Sequence, residues 1–90
     1  MAQYIKTDGT ITEISPKKGL TFSLQELQSY VGGYIEVVSL GKKIMVIDEE
    51  GKLKEKPINT FATKKFKEQY PETTDVIVGN ALICLNKEMK

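Results

Sequence analysis

Apolar positions along the chain come in short clusters whose spacing changes from about two to about four and back, which predicts strands and helices in turn. Gln3 to Lys6 and Thr10 to Ile14 flank Asp8-Gly9, a pair that favours the tight turn of a hairpin, so these two segments are expected to pair. Pro16-Lys17-Lys18-Gly19 is turn chemistry. The best-specified element follows. Ser23 is an N-cap residue, Glu26 completes a capping box, and Phe22 and Leu27 occupy the positions of a hydrophobic staple. Leu24, Leu27, Tyr30 and Val31 continue at helical spacing up to Gly32, which suits a left-handed C-terminal cap, so a helix is predicted over 24–31.

Tyr34 to Leu40 and Lys43 to Asp48, broken at Gly41-Lys42, read as a second hairpin at the centre of the sheet. Asp48-Glu49-Glu50-Gly51 is an acidic turn expected to be solvated, and a short edge strand is expected around Leu53. Ala62, Phe66 and Tyr70 are spaced by four between a cap at Asn59 or Thr60 and Pro71, predicting a second helix. Val76 to Leu85 is the last apolar segment, with Gly79-Asn80 marking a bulge or tight turn within it. The resulting class is α+β, a mostly antiparallel sheet of five to six strands with two short helices packed on it, both on one face. One domain is expected over 1–90, with 85–90 a frayed tail.

Composition narrows the chemistry. At 90 residues, 40% hydrophobic and 28% charged, the chain matches an ordinary folded domain. Its 13 cations are all Lys and nearly balance 12 acidic residues; the weak net field and the lack of Arg argue against a nucleic-acid partner. The absence of His and the presence of one Cys remove the usual general base, the usual partner of a nucleophile and the usual zinc ligands. No catalytic residue, metal site or cofactor is therefore expected, and the chain reads as a protein that is not an enzyme. Cys84 lies in the apolar run Ala81 to Leu85, which fits a core thiol in a reducing compartment. The first residues carry no signal-peptide core, and no apolar run approaches the ~20 residues that span a bilayer, so a cytoplasmic setting without membrane contact is expected.

Two places can carry binding chemistry. Glu36 interrupts an otherwise apolar strand and shares a face with Tyr34, so it either points to water or joins Tyr34 in contacting a ligand. Asn59 to Lys65 brings helix-start amides, the hydroxyls of Thr60 and Thr63, and the ammonium groups of Lys64 and Lys65 into one segment; it is either an anion-compatible helix start or a capped helix with solvated lysines. Gly32-Gly33 lacks the pattern of a phosphate loop, and Asp48 to Gly51 lacks the alternating oxygens of a calcium loop.

Leu27 to Val38, Asp48 to Leu53, Asn59 with Ala62-Thr63, and Asp75 to Leu82, taken together, resemble a small domain family of unknown function met in bacteriophages and bacterial mobile elements. That resemblance implies an accessory protein acting in the cytoplasm of a bacterial host, and transfers no reaction. The functional expectation is a non-enzymatic protein that binds and sequesters a small anionic nucleotide-type signal of host antiviral defence. In this scheme Tyr34 stacks on a base, Glu36 and Asn59 hydrogen-bond base or ribose, and Thr60, Thr63 and Lys64 hold phosphate. A two-fold homo-oligomer would enclose the pocket. The alternative is a protein-interaction module that inhibits a host protein through a sheet edge or helix face, marked by exposed apolar surface without a polar-lined cavity.

Overall fold

Ile44 to Ile47 and Ala81 to Leu85 are apolar at every position, and a strand of that kind needs cover on both faces. The computed structural model, which describes residues 2–89, supplies it. Strands β1 (Ala2–Ile5), β2 (Ile11–Ile14), β3 (Ile35–Leu40), β4 (Lys43–Asp48) and β5 (Ala81–Leu85) form one antiparallel sheet in the order β2-β1-β5-β4-β3. Helix α1 (Leu24–Val31) connects β2 to β3, and α2 (Thr60–Gln69) lies between β4 and β5. The fold is thus α+β with five strands and two helices.

Ile44, Val46, Leu82 and Cys84 pack with Ala2 against Phe22 and with Leu27 and Val31 of α1. Met45, Ala81 and Ile83 pack with Ile5 against Ala62 of α2 and Ile77. Because alternate residues of one strand enter different clusters, the two helices sit on opposite faces. The expectation that both would cover one face is therefore corrected: a sheet with both faces apolar cannot leave one of them to water. The second hairpin is also displaced from the centre. The last strand, β5, inserts between β1 and β4, and leaves β3 at the edge. Cys84 is buried, and burial, followed by the charge of Glu88, pushes its thiol up to about 11.

Local signals set the ends of α1. Ser23 Oγ accepts from the Glu26 amide at 3.1 Å while Glu26 Oε1 accepts from the Ser23 amide at 3.1 Å, and Gly32, at φ 83°, closes the helix with its amide donating to Gln28 O. Replacing Ser23 by Ala removes one half of this reciprocal cap. The expected result is a loss of about 1 kcal/mol in urea unfolding with an unchanged slope.

Three further expectations change. Gly51 to Glu55 forms consecutive turns, with Glu55 at φ 56°, so no edge strand forms at Leu53, which is 82% exposed. Gly79, at φ 78°, lies in a bend and is neither a bulge nor a tight turn within a strand, so only Ala81–Leu85 of the Val76 to Leu85 segment is extended in the sheet. The segment beyond Leu85 is drawn back to the domain: Asn86–Glu88 is a 3₁₀ turn, the Phe22 amide donates to Glu88 O at 2.6 Å, and Met89 bridges Phe22. Glu88 Oε1 also accepts from the Leu85 amide, so buried backbone groups there find partners and hold the tail down; Lys90 lies outside the described residues.

Candidate functional site

The six residues singled out from the sequence lie in different places. Asn59 is 1% exposed and all of its polar atoms serve the fold: Oδ1 accepts from the Ala62 amide, and Nδ2 donates to Ile5 O and Gly79 O, each at 3.0 Å. Thr63 Oγ1 accepts from the Ile77 amide at 2.9 Å and donates to Ile77 O at 3.3 Å, tying α2 to the segment before β5. Thr60, Thr63 and Lys64 share an open depression on the first turns of α2. Glu36 borders a different groove, and Tyr34, 67% exposed, stands beside Gly33 and Lys54 in a third hollow. The structure brings Thr60, Thr63 and Lys64 together, and does not bring Tyr34, Glu36 or Asn59 to them.

The acidic turn also differs from the expected solvated loop. Asp48 has its carboxylate fully buried, with Lys56 Nζ at 2.7 Å and Lys54 Nζ at 2.9 Å, and it accepts from the Glu50 amide at 2.9 Å. Burial alone would raise its pKa, yet the hydrogen bonds from Lys56, Lys54 and Glu50 outweigh burial and hold it at about 2. Lys56 Nζ donates onward to Val31 O at 2.8 Å and Lys54 Nζ to Gly32 O at 3.3 Å, so both ammonium groups meet the negative end of α1. Gly33 is there to make room: a Cβ on it would come within 2.6 Å of Lys54 Nζ and 2.8 Å of Asp48 Oδ1. This cluster joins the end of α1 to β4. Sequence reasoning misses it, because Lys54 and Lys56 tie Asp48 to the carbonyl groups of Val31 and Gly32, which lie more than twenty residues away in the chain.

The outer edge of β3 offers binding capacity that the fold leaves unused. The Glu49 amide donates to Tyr34 O at 2.8 Å, which makes these residues a hydrogen-bonded pair at the end of the β3–β4 ladder. In an antiparallel ladder the direction of the backbone groups alternates, so those of Glu36, Val38 and Leu40 also turn to β4 while those of Ile35, Val37 and Ser39 turn outward. At one end the Tyr70 hydroxyl donates to Ser39 O at 2.8 Å and closes that position. Among the described residues no hydrogen bond reaches the outward groups of Ile35 and Val37, and Val37 is 42% exposed. Proteins normally blunt such an edge.

Beside this edge, on the α2 face, runs a groove of about 270 Å³ between β3 and the 75–78 segment. Phe66 and Ile77 line it with Val38 of β3, and Glu36, Glu49 and Asp75 bring charge to it. Asp75 is hydrogen-bonded by Lys52 Nζ, which with the amide of Val76 lowers its pKa. Glu36 and Glu49 make no ion pair among the described residues. A larger depression of about 590 Å³ lies along α1, where Lys17, Lys18, Thr21 and Ser29 surround Tyr30; its carboxylate, Glu26, accepts from the amides of Ser23 and Lys17. No helix of the described residues is long and apolar enough to cross a membrane.

Comparison with known proteins finds no match among curated proteins or solved structures. A family model does match, over residues 3–90, nearly the whole chain, and it spans both helices, the buried Asp48 and Asn59 and the open strand alike. The chain belongs to the family described as Domain of unknown function (DUF3846).

Proposed function

We propose that the protein is a non-catalytic interaction module that takes up an extended segment of a partner protein on β3 as an added strand. The observation that carries this reading is the unpaired outward edge at Ile35 and Val37. Strand addition draws its affinity from main-chain hydrogen bonds and its specificity from the side chains flanking the new strand. Exposed Tyr34 and Val37 stand along this edge, and the groove lined by Glu36 lies directly beside it. Following the resemblance to phage and mobile-element domains, the partner is a protein of the bacterial host, which the module occupies and thereby blocks.

The test uses the outward direction of the Val37 amide. Proline there removes a donor that β4 does not use, so Val37→Pro keeps the sheet, where an interior strand would not tolerate it. Heteronuclear NMR of the protein titrated with a blocked peptide of alternating valine and threonine should shift the amides of Ile35 and Val37. In Val37→Pro the circular dichroism spectrum should be retained and the affinity should fall about tenfold or more. Retention of full affinity by that variant would remove β3 as the docking edge.

The reading as a nucleotide-signal binder keeps one specific support, the depression along α1 with Lys17 and Lys18 and the ring of Tyr30. A ligand present at about a hundred times its dissociation constant stabilises a fold by about 2.7 kcal/mol. A melting curve left unmoved by a panel of cyclic and linear nucleotides would set this second reading aside.

A further inference from the structure

We infer that the segment β3 accepts comes from a chain other than its own, with a lysine or arginine opposite Glu36 and apolar residues opposite Ile35 and Val37. The inference rests on the strand-addition reading and names the chemistry of the partner. Among the described residues the outward groups of Ile35 and Val37 make no hydrogen bond, so Glu36 between them lies at a position where the new ladder makes none. Side chains facing each other across such a position approach most closely. Glu36 is paired with Ile47 in the β3–β4 ladder and shares the α2 face with it and Val38, so the incoming residue opposite it also points to that face, beside the groove.

The groove selects a cation with a long apolar stem. Phe66, Ile77 and Val38 offer apolar wall, and Glu36 and Glu49 bring two carboxylates that make no ion pair among the described residues. Lys52, which also lines the groove, is held by Asp75. A lysine or arginine can lay its methylenes against the wall and bring its charged head to Glu36 and Glu49. On the opposite face the incoming side chains meet Ile35 and Val37, where apolar groups add contact area.

A second copy of this chain fits the same edge badly. The two-fold register that uses only the free groups of Ile35 and Val37 sets Glu36 directly opposite Glu36 of the other copy, and like charges so placed are destabilising. Registers centred on Val37 or beyond pair through Ser39, whose carbonyl oxygen already accepts from Tyr70. A centre at Ile35 sets Glu36 against a tyrosine and Val37 against Gly33, leaving the carboxylates without a cation. The charge on β3 thereby works against self-pairing, a common protection of exposed edges.

The test compares two blocked peptides, one alternating valine with lysine and one alternating valine with glutamate, titrated into labelled protein, alongside sedimentation of the protein alone. Binding of the lysine peptide about fivefold or more tighter than the glutamate peptide, reversed by Glu36→Lys and lost in Val37→Pro, with the protein sedimenting as a monomer, is the expected result. Equal binding of both peptides that Val37→Pro still abolishes overturns the charge assignment and leaves the edge in place. So does a dimer that Val37→Pro dissolves, because the occupant is then a second copy. Binding indifferent to Val37→Pro, or no shift with either peptide, overturns the edge itself. Glu36 is solvent-exposed, so its substitution leaves the fold intact and keeps the comparison decisive.

Discussion

Asn59→Ala is expected to lower the stability of the protein by about 4 kcal/mol, a large share of the 5–15 kcal/mol that separates a folded domain from its unfolded chain. One side chain holds three elements: Oδ1 caps α2 through the Ala62 amide, while Nδ2 donates to Ile5 O at the end of β1 and to Gly79 O just before β5. Losing the cap costs about 1 kcal/mol. Two carbonyl oxygens that Nδ2 now serves lose a donor inside the protein, at about 1–3 kcal/mol each when no water replaces it. Asn59→Ser separates the two parts, since a hydroxyl can still cap the helix but cannot reach both carbonyls; it should recover about 1 kcal/mol of the loss. Thermal unfolding of the two variants against the parent gives the comparison, with a drop of roughly 20 °C expected for Asn59→Ala. A drop of only a few degrees would show that Asn59 is not the joint between α2, β1 and β5.

The same residue shows where sequence reasoning ends. A cap at Asn59 or Thr60 was legible from the helical spacing of Ala62, Phe66 and Tyr70, because a cap acts over three residues. The bond from Nδ2 to Ile5 crosses 54 residues of chain and has no local trace, so Asn59 looked available for a ligand. Gly32 and Gly33 divide in the same way. The first was readable as a helix stop from position alone, and its φ of 83° agrees. The second is small because Asp48 and Lys54 press against it, a condition set by residues distant in sequence.

Sheet order follows a rule legible in the sequence. The unbroken apolar runs at Ile44 to Ile47 and Ala81 to Leu85 indicate strands covered on both faces, which places β4 and β5 inside and one helix on each side. The interruption at Glu36 within β3 fits a strand with one side open to water. Glu36, Asn59 and Lys64 share no cavity: Glu36 borders the groove beside β3, Lys64 lies on an open depression of α2, and the polar atoms of Asn59 are all used by the fold. Tyr70 was legible as a helix residue, but its hydroxyl reaches Ser39 O only because α2 lies across the β3 side of the sheet.

Asp48→Ala should have the second large effect, about 3 kcal/mol or more, because it strands two ammonium groups gathered around a buried carboxylate. Lys56, with its side chain 24% exposed, loses most by this change, while Lys54 at 40% can turn to water. Acid should reproduce part of the loss in the parent protein. The folded carboxyl binds its proton less readily than the unfolded one, whose value is 3.8, so its contribution is complete above that pH and disappears as the pH falls through about 2. The difference corresponds to about 2 kcal/mol. Asp48→Asn, which keeps shape but not charge, should start lower at neutral pH and lose less stability through that acid window than the parent. Parallel decline of both proteins from neutral pH down to pH 2 would mean that other carboxylates govern acid unfolding and that the joint between α1 and β4 does not depend on the charge of Asp48.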